Sequence, residues 1–200
     1  MDAATEKKLR GLIDRQEIWD VMQRYGRGLD RLDRELARSC YWDDAIEDHG
    51  TYVGRPDDFI EWANSCSLMF ETHHHGLMNH FCDLDGDNAH CETYYLFIGK
   101  NAEPPHFMSM GRYIDHFQKR NGEWRIANRI CLIECNYDLA ASRVGTDGPS
   151  AYPPHESQPA TRDRNDASYQ RPLRPRAPRP LRPAHEHAQA ARSRGAPVRA

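Results

Sequence analysis

THHHGLMNHFCDL (72–84), DGDN (85–88) and AHCETYYLFIG (89–99) are the stretch on which the fold turns. Two apolar runs of strand-like period flank an Asp-Gly turn, the strongest short-range signal for a β-hairpin. A second pair follows, Phe107 to Lys119 and Trp124 to Tyr137, joined by Arg120-Asn121-Gly122-Glu123. Upstream the period changes. Ile18, Val21, Met22, Tyr25, Leu29 and Leu32 recur at spacings of three and four, which predicts a helix with one buried stripe. Asp14, with Glu17 three residues on, reads as its capped start. Gly26 and Gly28 lie inside that helix at about 1 kcal/mol each relative to alanine, so a close approach is expected there.

A short helical piece over Arg34 to Tyr41 closes the first hairpin of helices, and Ala45 to Val53 reads as a short strand turning near His49-Gly50. Gly54-Arg55-Pro56-Asp57-Asp58 is a helix start, because proline suits the first helical position and acids suit the exposed amides. Phe59, Trp62, Ala63, Cys66, Met69 and Phe70 supply its buried face. Helices first and a meander of long strands afterwards predict an α+β fold, with the helices on one side of a curved sheet.

Charge divides the chain. Eight of its 27 basic residues and one of its 30 acids fall in 171–200, so the first 170 residues carry 19 bases against 29 acids. A folded body that acidic is a poor prospect for nucleic acid. No apolar run reaches membrane-spanning length, and MDAATEKKLR lacks the apolar core of a signal peptide, so a cytoplasmic protein without membrane attachment is expected. The six cysteines contain no C-x-x-C and sit in apolar segments, as reduced core thiols do. The expected organisation is an N-terminal extension (1–12), an α+β domain (13–140), an irregular extension (141–170) and a Pro/Arg-rich disordered tail (171–200), read as an inert extension with binding of acidic surfaces as the alternative.

Chemistry concentrates between residues 71 and 80, which hold four of the eleven histidines. A histidine near neutrality can take a proton and return it if a carboxylate fixes its tautomer and supports its cation. On a regular strand His73 and His75 point one way, while His74, Gly76, Met78 and His80 point the other. Alternation alone leaves open which set faces inward. A metal site is disfavoured, because consecutive strand residues diverge and no histidine pair at helical i, i+4 spacing accompanies them.

Tyr25-Gly26-Arg27-Gly28-Leu29-Asp30, Tyr41-Trp42-Asp43-Asp44-Ala45, Gly50-Thr51-Tyr52-Val53-Gly54, Thr72-His73-His74-His75-Gly76 and the Asn-Gly-Glu-Trp turn occur in an order that resembles the SnoaL-like branch of the nuclear transport factor 2 superfamily. The resemblance covers roughly residues 12 to 140. It implies a cone-shaped barrel, a strongly curved antiparallel sheet closed by N-terminal helices around a small-molecule pocket. The branch includes hexachlorocyclohexane dehydrochlorinase, bile-acid 7α-dehydratase and scytalone dehydratase. It therefore implies a cofactor-independent lyase using a His-Asp pair on a small, mainly apolar cyclic substrate. The matching positions are Asp30 on the first helix, His74 on the strand and Tyr25 as hydrogen-bond donor, with Trp42, Asn79, His80, Tyr94, Tyr113 and Arg129 as pocket candidates. The same pair could run a proton-shuttle isomerase or cyclase, and some members bind ligands or act as scaffolds without chemistry. Members of the superfamily commonly dimerise or trimerise, so a homo-oligomer is expected.

Overall fold

The computed structural model describes residues 1–140 and 161–175. The expected irregular extension and tail therefore lie largely outside the described residues. Residues 1–140 form one unit, and 161–175 belong to a second. The latter contains a single 3-10 turn at Ala167–Tyr169, opened by Asp166, whose carboxylate accepts the Ser168 amide.

Helix α1 runs from Ala3 to Asp30, twelve residues longer at its start than an Asp14 cap implies. Asp2 is the cap, its carboxylate accepting the Thr5 amide at 2.8 Å. The first turns are exposed and need no apolar stripe; good helix formers and a capped end suffice. Asp14 is instead spent on tertiary bonds, accepting from Lys119 Nζ and Trp124 Nε1 at 2.8 Å each. The stripe from Ile18 to Leu29 is buried as expected.

Next come α2 (Arg34–Arg38), β1 (Tyr41–Asp48), β2 (Val53–Gly54) and α3 (Pro56–Ser67). Four long strands follow: β3 (Thr72–Asp85), β4 (Asn88–Lys100), β5 (His106–Arg120) and β6 (Glu123–Leu139). Both hairpin turns fall where the sequence puts them, and positive φ at Asn121 (55°) and Gly122 (82°) makes the second a twist-compatible primed turn. All six strands form one open sheet in the order β2-β1-β6-β5-β4-β3. The sheet is mixed rather than wholly antiparallel, because β1 runs parallel to β6. That follows from topology: β1 precedes the meander and returns to its far edge through α3 and three strands.

Register shifts at Leu77/His80, Met110/Gly111 and His116/Phe117 bend the long strands. One face carries the core, including Ile18, Met22, Phe59, Ile60, Phe117, Trp124 and Ile126. Gly28 provides the close approach expected of it. A Cβ there would lie 2.6 Å from the Ala37 backbone nitrogen, so its absence lets α2 fold back on α1.

Candidate active site

His73, His74 and His75 open β3, and their side chains alternate. His73 is buried, His75 is nearly so, and His74 is exposed on the opposite face. The register fixes this: His75 lies opposite Phe97, an inward residue, whereas His74 lies opposite the exposed Ile98. Asp30, the last residue of α1, meets the inward pair. Its Oδ1 is 2.6 Å from His75 Nδ1, and its two oxygens accept the His75 backbone amide at 3.1 Å. The His73 ring lies 3.7 Å from the same Oδ1, with its Nε2 3.2 Å from the Leu29 carbonyl.

A carbonyl can only accept, so His73 Nε2 carries a proton and donates to Leu29. An ionised carboxylate also only accepts, so His75 Nδ1 carries a proton as well. In the neutral ring this leaves His75 Nε2 as the basic nitrogen. His73 thus ties the end of α1 to β3, and His75 is the one held by a carboxylate. The position is favourable for a transient imidazolium, because the negative end of the α1 dipole lies beside it. Phe97 walls both rings, edge to His75 at 5.0 Å and stacked on His73 at 5.7 Å, with Phe70 and Phe107 behind it.

The expectation for His74 is therefore corrected: it turns away from Asp30, and His75 takes the place assigned to it. Tyr25 is buried, but its neighbours are Tyr41, Tyr113 and Arg129, whose guanidinium lies 4.1 Å from the Tyr25 ring centre. Its hydroxyl is buried without a hydrogen-bond partner, and burial pushes its pKa well above the ordinary tyrosine value. Tyr113 and Arg129 are buried in the interior, where Arg129 is committed to Asp115 through bonds of 2.6 and 2.9 Å. Burial works against the Arg129 charge, yet Asp115 and the surrounding tyrosines hold it well above its usual pKa.

Trp42 and Tyr94 lie elsewhere. Trp42 donates to the Gln118 carbonyl and stacks under Arg120 and Arg125, and Tyr94 is exposed beside Arg112. Tyr94 falls on the outer face because the register places it between the inward Thr93 and Tyr95. Asn79 is exposed at the β3 bulge. His80 faces α1, 5.0 Å from the Trp19 ring, with Nδ1 2.8 Å from Thr93 Oγ1.

Sequence reasoning passed over Asp115 and a second buried acid, Glu47, which accepts from the Tyr41 hydroxyl at 2.7 Å and lies 2.8 Å from His49 Nδ1. Asp115 shares strand parity with Tyr113 and could have been read as inward on that ground. Among the described residues, two sets of donor atoms lie close enough to hold a metal ion: Asp30, His73 and His75, and His80, Cys82 and Cys91. In the first set two ring nitrogens are already engaged as donors.

An open, curved six-stranded sheet with N-terminal helices packed on it is the cone-shaped nuclear transport factor 2-like fold. The chain belongs to the SnoaL-like domain family, which matches residues 10–130. Solved structures of the same fold include the hexachlorocyclohexane dehydrochlorinase LinA-type3 from Novosphingobium barchaimii LL02, at TM-score 0.63 and 19% identity over 68% of this chain and 96% of that one. A candidate scytalone dehydratase from Novosphingobium aromaticivorans DSM 12444 superposes at TM-score 0.59 and 19% identity, over 66% of this chain and 91% of that one. A Mycobacterium tuberculosis protein of unknown function does so at 0.58 and 22%, over 67% and 77%. No curated protein matches the chain. Among the described residues, no helix is long and apolar enough to cross a membrane.

Proposed function

We propose that this chain is a cofactor-independent lyase that eliminates water or halide from a small, mainly apolar cyclic substrate, with His75 as base and Asp30 as its orienting partner. The observation that carries the reading is the 2.6 Å contact between His75 Nδ1 and Asp30, which fixes the tautomer with Nε2 as acceptor. Nε2 takes a proton from a substrate carbon. The C–H electron pair becomes the new double bond, and the leaving group departs from the adjacent carbon with its own bonding pair. The imidazolium formed on His75, supported by Asp30, then gives up its proton to a leaving oxygen or to solvent. The Tyr25 hydroxyl, buried and unpartnered, is proposed as the donor to the leaving group. The Phe97, Phe70 and Phe107 rings favour an apolar substrate.

The proteins of like fold suggest the assay: chloride release from hexachlorocyclohexane and dehydration of scytalone. With turnover of either, His75→Ala and Asp30→Asn are expected to lower kcat by about 10²–10⁴-fold, Tyr25→Phe by less, and His74→Ala hardly at all. Activity surviving in both His75→Ala and Asp30→Asn, or lost equally in His74→Ala, would sink the proposal. Tight binding of both compounds without turnover would favour a ligand-binding role instead. The protein is further proposed to work as a homo-oligomer in the cytoplasm, a setting that suits six unpaired cysteines.

A further inference from the structure

Away from the Asp30–His75 pair, β3 and β4 bring together a histidine and two cysteines. Cys82 and Cys91 lie directly opposite each other across the β3/β4 hairpin, and His80 lies opposite Thr93 one inward step away. His80 lies beneath Trp19 of α1, with 5.0 Å between the ring centres. A ring nitrogen of His80 and the two Sγ atoms lie within 4.8 Å of one another. Ligands around a tetrahedral zinc, at roughly 2.0–2.3 Å from the metal, stand about 3.3–3.8 Å apart, so a contraction of about 1 Å closes the set.

Two further features fit a ligand set. His80 Nδ1 is paired with Thr93 Oγ1, which orients the ring as outer partners of metal-bound histidines do. His80 Nε2 is buried and has no hydrogen-bond partner, a costly state for a ring nitrogen unless something binds it.

We infer that His80, Cys82 and Cys91 form a binding site for a thiophilic metal ion, zinc or cuprous copper, in the wall of the cone between α1 and the hairpin. Two sulfurs and one imidazole suit zinc with a fourth, solvent-derived ligand, or three-coordinate cuprous copper. The site is separate from the proposed elimination chemistry, which needs no metal.

The test is titration of the purified, fully reduced chain with zinc and with cobalt(II) as spectroscopic probe. One ion per chain is expected, with cobalt giving thiolate-to-metal charge transfer and the strong visible bands of a four-coordinate ion. Cys82→Ser and Cys91→Ser should abolish the charge transfer, Thr93→Val should weaken binding by about 10–100-fold, and Cys66→Ser and His75→Ala should change nothing. Cys91 is deeply buried, and its variant could misfold. Zinc protection of thiols in the wild-type chain is therefore read as well, with protection expected at Cys82 and Cys91 and not at the other four. Absence of charge transfer, binding that survives Cys82→Ser, protection of other thiols, or binding lost in His75→Ala would each overturn the assignment.

Discussion

His75 and His74 show how far a single residue's parity can carry a functional reading. The alternation that sets His73 and His75 apart from His74 was legible in the sequence. What was not legible was the β3 bulge between Leu77 and His80, which shifts the parity so that His80 shares a face with Leu77, not with Met78. Counting back from His80 through a regular strand puts His74 inward; the bulge reverses that result. Asp30 closes α1 just past the end of its buried stripe, which brings its carboxylate to β3. Glycine gives a second test at this scale. In Gly28→Ala a new methyl would meet Ala37 backbone atoms at 2.6 and 2.8 Å, which no rotamer change relieves. A loss of about 1–3 kcal/mol is expected, read from the urea midpoint. Gly26→Ala places its methyl 3.5 Å from a Leu77 methyl, an ordinary contact. That variant is expected to be neutral or more stable by up to about 1 kcal/mol.

At the scale of elements, the two long hairpins and the core helix could be read from period and turn residues, since those signals are local. Boundaries set by non-local bonds could not. Asp14 illustrates this, reading as a cap yet serving as the bolt between α1, β5 and β6 through Lys119 and Trp124. Burial alone would raise the Asp14 carboxyl, but those two donors outweigh it and hold the group below its ordinary 3.8. A depressed folded-state pKa means that the stabilisation is fully present above the unfolded-state value and is lost as pH falls through the folded one. Asp14→Asn is therefore expected to cost about 1–2 kcal/mol at neutral pH. That difference from wild type should shrink as denaturation is repeated at pH values below the ordinary carboxylate range. A difference that stays constant into acid would remove this account.

For the whole molecule, the convex face of the sheet bears on assembly. Phe81, Ile114 and Ile130 lie along one cross-strand row, with Tyr94 and Leu132 in the next, and most of them are exposed among the described residues. Arg112 sits in the second row between Tyr94 and Leu132, paired with Glu92 and Glu134. An apolar patch with a satisfied polar centre is what a self-associating face looks like. Light scattering is expected to give a dimer or trimer, and Ile130→Glu with Leu132→Glu a folded monomer. A wild-type monomer at the same concentration would argue against the assembly.

The parallel pairing of β1 with β6 also governs the order in which the chain can fold. Tyr41 of β1 is registered with Ile126, some eighty-five residues later, while β3, β4, β5 and β6 pair with one another only as sequence neighbours. During synthesis the meander can zip up hairpin by hairpin. The strand that precedes it has only the two-residue β2 to hold until β6 has emerged. Closing that long loop is slow relative to local hairpins. β1 is thus the last strand secured to the sheet, joining it only when nearly all of the domain has been made.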